Sequence, residues 1–189
     1  VLTDGKVSDY KLTFPEGYTV EDIAKKLDES KVCTKDEFLK VEKEYPLPSY
    51  IKPNNERKYE LEGFLFPDTY AIPKGTTPKQ IIEMMLNRFE GVISEIQSEL
   101  GITISKEEYE KYVIVASMVE KEARDDSERA EIASVIYNRL QKGMPLQIDA
   151  TVLYALGEHK DTVLYKDLKV DSPYNTYKIK GLPVGPICN

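Results

Sequence analysis

The sequence predicts an α+β fold, with a small β-α-α module over residues 1–55 packed beside a mainly helical domain over residues 56–189. Two observations predict it. The composition shifts at residues 45–60, where a loop containing Pro and Asn interrupts the amphipathic pattern, and a run of capped helical segments follows residue 78. The bulk numbers agree. With 189 residues, 41% hydrophobic and 31% charged, and with modest Gly and Pro, the chain can bury a core and is not of disordered composition.

Leu12-Thr13-Phe14 reads as a short strand, and Pro15-Glu16-Gly17-Tyr18-Thr19 as a turn ending in an N-cap. Ile23, Ala24 and Leu27 then form a helical stripe. A second helix is expected over residues 35–43, with Thr34 and Glu37 as a capping box. Phe14-Pro-Glu-Gly-Tyr-Thr recurs as Ile72-Pro-Lys-Gly-Thr-Thr, each copy followed by an isoleucine on a helix (Ile23, Ile81), which reads as convergent strand-turn-helix chemistry. Residues 61–70, dense in aromatics and turn formers, are either a core-packed loop and strand or a groove lip. Residues 78–99 place Ile81, Ile82, Met85, Phe89, Val92 and Ile96 on one core-facing stripe. Ser105 and Glu108 form an S-x-x-E box before the next helix. Asp125 or Asp126 starts another, whose apolar face is Ile132, Val135, Ile136 and Leu140, and Gly143 ends it. Asp149 is expected to cap a helix after the short extended piece 146–152.

The segment from Tyr112 to Arg124 carries the chemistry. At about 100° per residue, Ile114, Val115, Met118, Val119 and Ala123 share one face, and Glu122 falls within it. Glu120 projects almost oppositely, beside Ser117 and Arg124. A carboxyl leaving an apolar face is desolvated, which raises its pKa toward the range of a proton donor, so Glu122 is the candidate general acid. The competing reading is a last-turn residue that bends out to solvent. Glu120 and Ser117 are assigned supporting positions behind Glu122. For Glu120 the choice lies between a charge acting through Lys121 or Arg124 and a solvated surface role.

A net charge of −7 argues against nucleic acid as a partner. No apolar run approaches the roughly 20 residues that span a bilayer. The chain begins at Val1 without a Met and ends just after a Gly/Pro cluster, which reads as a chain trimmed at both ends. Cys33, Cys188 and the single His159 make no metal constellation, and no cofactor is expected. Loops of Asn, Gln, Thr and Tyr suit sugars through hydrogen bonds and ring stacking, although turn propensity also accounts for them.

Several motifs in order resemble the YceG-like endolytic murein transglycosylases, the MltG family. They are Ala116-Ser-Met-Val-Glu-Lys-Glu-Ala, Glu128-Arg, Tyr137-Asn-Arg-Leu, Gly143-Met-Pro-Leu-Gln, Asp149, Thr151-Val, Asp171-Ser-Pro-Tyr-Asn-Thr-Tyr and Gly181-Leu-Pro. Residues 61–70 and the Gly75-Thr-Thr-Pro turn match as well. The resemblance implies a LysM-like N-terminal module and a lysozyme-like catalytic domain with short strands and loops lining a groove. It implies a bacterial enzyme, anchored to the membrane by an N-terminal segment and acting on its extracytoplasmic face. That enzyme would cleave the MurNAc-β-1,4-GlcNAc bond of nascent peptidoglycan and leave 1,6-anhydro ends, with cell-wall synthases (penicillin-binding proteins) as possible partners.

The family's catalytic glutamate falls on Glu122, and substrate-groove roles fall on Gln147, Asp149, Tyr174, Asn175 and Thr176. Departures from the family pattern are Ile148, where a small hydroxyl residue is usual, Ala150 and Val184, where proline is usual, and Cys188, where alanine is usual. An anhydro product needs no attacking water, because the substrate's C6 hydroxyl closes on C1, so one carboxyl can serve as acid and then as base. Two other readings stay open: a hydrolytic muramidase using Asp149 as the water-activating base, and a non-catalytic glycan-binding scaffold.

Overall fold

The computed structural model describes residues 9–157 and 162–189; His159 lies outside them. Among the described residues the order is β1 (Tyr10–Thr13), α1 (Val20–Glu29), α2 (Lys35–Glu44), β2 (Thr69–Ile72), α3 (Pro78–Leu100), α4 (Lys106–Glu122), α5 (Arg129–Gln141) and α6 (Asp149–Leu156). Single 3₁₀ turns at Asp126–Glu128 and Asp167–Lys169 complete it. Six helices and a two-stranded sheet make this a mixed α+β architecture.

The two recurring turns do the same mechanical work. Each strand runs into a glycine with positive φ, Gly17 at +81° and Gly75 at +89°. A threonine then caps the following helix in a full capping box: Thr19 with Asp22 for α1, and Thr77 with Gln80 for α3. Thr34 and Glu37 form the box expected for α2. The box expected at Ser105 does not form: its hydroxyl donates to Glu108 at 3.1 Å, and no backbone N–H reaches the serine side chain.

β1 and β2 pair antiparallel, Tyr10 opposite Ile72 and Thr13 opposite Thr69. The sheet therefore joins residues on both sides of position 55. The first hydrophobic cluster also crosses it, running from Phe14, Val20 and Phe38 through Leu61, Phe64 and Leu65 to Ile82, Phe89 and Tyr109. Residues 61–70 are thus core-packed, with Tyr50 and Phe89 in ring contact with each other and each with Phe64 and Tyr109, at 5.3–6.2 Å. The second cluster comprises Ile114, Val115, Met118, Val119, Ile136, Leu146, Ile148, Tyr174 and Ile187. The clusters hand over along α4, which carries Tyr109 into the first and Ile114 to Val119 into the second.

Two expected stripes end early. On α3 burial stops at Phe89, leaving Val92 half-buried and Ile96 exposed, because this 23-residue helix extends past the body it packs on. On α5 only Ile136 is buried, and Val135 is 49% exposed. That helix lies over an open groove and not over a closed core.

Polar staples hold the two clusters together. Asn189 accepts from the N–H groups of Gly63 and Leu65 at 2.7 and 2.9 Å and exchanges backbone bonds with Gly17 and Tyr18. The buried Arg57 side chain donates to Val184 O at 2.9 Å and pairs with Glu110 on α4. Gly63, at φ +88°, has no room for a Cβ, which would sit 2.5 Å from Pro186 and 2.6 Å from Val113.

Candidate active site

Glu122 is the last residue of α4. Its stripe partners Val115 and Met118 are buried, as helical spacing predicts, but α4 emerges from the second cluster at its end, so Glu122 opens onto the surface. Protein atoms still crowd the carboxyl. Desolvation raises its pKa above the usual glutamate value, the Asp149 charge pushes the same way, and a hydrogen bond from the Ala150 N–H pulls back. The groove it faces has a volume of about 480 Å³. Polar side chains line one part of it (Glu122, Arg124, Glu128, Glu131, Arg139, Gln147) and aliphatic ones the rest (Ile132, Val135, Ile136, Leu146, Ile148).

Gln147 lines the groove and takes a left-handed backbone conformation, φ +56°, which costs a non-glycine residue about 1 kcal/mol. Its surroundings hold it there: the N–H of Gln147 donates to Thr176 O at 3.0 Å, and Arg139 donates to its Oε1 at 3.1 Å. Arg139 also donates to the carbonyls of Pro145 and Leu146 at 3.2 and 2.9 Å. Asp149 is exposed beside Glu122 and accepts from the Tyr177 hydroxyl at 2.5 Å. It is not the cap of α6. Ile148 occupies the N-cap position, and Asp149 is the first helical residue, its carboxylate near the positive end of the helix.

Three expected groove contacts lie in the interior. Tyr174 is 2% exposed, its ring 4.8 Å from that of Tyr154 and its hydroxyl accepting from the Lys58 N–H. Asn175 is buried, its amide donating to the carbonyls of Leu168 and Val170 and its oxygen accepting from the Tyr177 N–H. Thr176 is buried against Thr151 at 2.9 Å and accepts from the Ile148 N–H at 2.9 Å. With their polar atoms satisfied inside the protein, these three shape the groove from behind: residues 171–177 fix the segment 147–149 against Glu122.

The supporting positions also differ from expectation. Ser117 is buried, donating to Ile114 O and accepting from the Ile187 N–H at 3.1 Å, so it ties α4 to the C-terminal segment. Glu120 pairs with Arg129 at 2.5 Å rather than with Lys121 or Arg124. Lys121 donates to Gly17 O at 2.7 Å, fastening the end of α4 to the turn after β1. Arg139 and Tyr177 were not singled out from the sequence, although both lie in motifs quoted there. Burial and the adjacent Asp149 push the Tyr177 phenol up to about 12, so it remains a donor.

No group of three or more His, Cys, Asp or Glu among the described residues is placed to hold a metal ion. Cys33 and Cys188 are free thiols.

At this site Glu122, a carboxyl whose pKa burial raises, faces a groove whose polar wall is held by hydrogen bonds. The profile of the YceG-like family matches residues 1–189, and the chain belongs to that family. It is 41% identical over 192 residues to an endolytic murein transglycosylase of Bacillus subtilis (strain 168), covering 95% of this chain and 53% of the relative. A second such enzyme, from Streptococcus pneumoniae serotype 2 (strain D39), is 36% identical over 201 residues, covering 93% of this chain and 36% of the relative. A crystal structure of a yceG-like protein from Listeria monocytogenes superposes with a TM-score of 0.81 at 43% identity, covering 95% of this chain and 62% of that one. The chain thus spans about half the length of the Bacillus relative and less of the Streptococcus one.

Proposed function

We propose that this chain carries the catalytic groove of a lytic transglycosylase that cleaves peptidoglycan glycan strands at MurNAc-β-1,4-GlcNAc bonds and leaves 1,6-anhydro-MurNAc ends. The observation that carries this reading is the Glu122 carboxyl, its pKa raised by burial, at the mouth of a groove whose charges nearly cancel, which suits an uncharged sugar backbone. Protonated Glu122 gives its proton to the glycosidic oxygen as the C1–O bond breaks. The C6 hydroxyl then bonds to C1, and its proton passes to the Glu122 carboxylate, which restores the acid. No water is consumed, so no second carboxylate is required as base.

Gln147 and Asp149 face the sugar, Asp149 held by Tyr177 and Gln147 by Arg139. Tyr174, Asn175 and Thr176 act through the backbone they fix. The β-α-α unit of residues 1–55, extended by β2 into a β-α-α-β order, is read as a LysM-like module that holds the strand beside a lysozyme-like groove. Action on the extracytoplasmic face of a bacterial membrane, through an N-terminal anchor and next to cell-wall synthases, follows from the same reading. Among the described residues no helix is long and apolar enough to cross a membrane.

The test is digestion of purified glycan strands by the wild type and by Glu122→Gln, with products weighed by mass spectrometry. Ends lighter by one water than hydrolysis gives, absent with Glu122→Gln, are expected. Reducing ends, or a fully active Glu122→Gln, would overturn the reading.

A further inference from the structure

Resting on the glycan reading of the Glu122 groove, we infer that Val135, with Ile132, forms a methyl-recognition wall that selects N-acylated sugars by packing on the acetamido methyl group. The helical pattern assigns Val135 to the core stripe of α5, yet it is 49% exposed. Ile132 is half-buried, and Ile136 alone on this helix is buried. The exposure is not scattered. Val135 and Ile132 line the same cavity as Glu122 and Gln147, with Leu146 and Ile148 continuing the aliphatic surface.

Branched aliphatic side chains facing an open groove gain burial when a ligand covers them, and the hydroxyls of a plain hexose polymer would leave them wet or lose their own hydration. A sugar carrying an acetamido group offers both parts. Its amide suits the polar side of the groove, where the Gln147 side chain already forms a hydrogen bond with Arg139, and its methyl suits the wall made by α5. The size of the effect follows from the area of one methyl, about three- to fourfold in affinity for each methyl covered.

The experiment uses the whole chain and reads binding without cleavage. The protein is titrated by NMR with the tetramer of β-1,4-linked N-acetylglucosamine and with its N-formyl counterpart, which keeps every amide and lacks only the methyls. The expected result is tighter binding of the N-acetyl tetramer by about threefold or more, with the Val135 and Ile132 methyl signals perturbed. Val135→Thr keeps the branched shape but places a hydroxyl in the wall, and should lower the ratio with little change in thermal stability, because the position is 49% exposed. Val135→Ala should do the same by removing the methyls outright. Equal binding of the two tetramers by the wild type, or an unchanged ratio in both variants, overturns this inference and leaves the Glu122 assignment standing. Failure of both tetramers to bind overturns the glycan reading together with it.

Discussion

The fold is expected to lose stability as pH rises from about 5 to 9, because Glu62 is buried where three segments meet. Its Oε1 accepts from the Val20 N–H at 2.9 Å and the Asn189 amide at 2.7 Å, and its Oε2 from the Tyr154 hydroxyl at 2.8 Å. The residue is 0% exposed, and burial pushes its pKa from the ordinary 4.5 up to about 8 despite those donors, with the charges of Glu42 and Asp22 adding to the rise. Glu42, also buried, is pushed up to about 7 by burial. A folded-state pKa above the unfolded one means that the folded state holds the proton more tightly. The contribution to stability is therefore complete below about pH 4.5 and is lost as pH climbs through 7 and 8. A shift of this size sets an upper limit of about 5 kcal/mol for Glu62, or roughly 10–20 °C in Tm for a chain of this length. Urea or thermal unfolding at pH 5.5, 7 and 8.5 reads the slope directly. Glu62→Gln should flatten most of it, and Glu42→Gln in addition should remove the rest. Glu62→Leu should lose about 3–5 kcal/mol at every pH, because three donors are left without an acceptor. A wild type whose stability stays level or rises between pH 5.5 and 8.5, or a Glu62→Gln slope identical to it, would refute the reasoning.

Gly63→Ala should cost about 3–5 kcal/mol and reduce soluble yield, since a Cβ meets Pro186 at 2.5 Å at a left-handed φ; circular-dichroism melts check it. Asp149→Asn should lower the pKa of Glu122 by removing the neighbouring negative charge, so the alkaline limb of strand cleavage should move to lower pH; carbon-13 titration of the Glu122 carboxyl gives the same answer without substrate. Gln147→Gly should gain up to about 1 kcal/mol of stability by relieving the left-handed backbone, while cleavage falls because Arg139 loses its side-chain acceptor; a variant both less stable and fully active would contradict this.

Local rules read the helices well because local chemistry makes them. Thr19, Thr34 and Thr77 each cap the predicted helix, and the paired strand-turn-helix segments turn out to be the two ends of one sheet. What local rules do not carry is the destination of a stripe. Val92, Ile96 and Val135 sit at core spacing but outside the core, because helical periodicity says which residues share a face and not whether another element covers it. The first hydrophobic cluster and the sheet both draw on residues from either side of residue 55. A composition shift marks a loop, whereas β1 finds its partner 56 residues later, at Thr69 opposite Thr13.

The candidate site residues divide by burial, and the sequence does not show where the division falls. Glu122 and Gln147 reach the groove, one by helical angle and the other by motif, while Tyr174, Asn175 and Thr176 turn inward. Residues rich in hydrogen-bonding capacity look alike in a sequence whether they bind a ligand or satisfy loop backbone, and the number of unsatisfied groups nearby decides between the two uses. Here the loop buries Asp167 and residues 174–176, so the carbonyls beside them need donors that water does not supply. The Asn175 amide supplies two of them, at Leu168 and Val170, and the Thr176 hydroxyl takes up the Ile148 N–H at the start of α6. That arrangement leaves Tyr177, on the solvent side of the same loop, free to reach Asp149 beside Glu122. The groove's polar wall is therefore only as well placed as the buried amide and hydroxyl behind it.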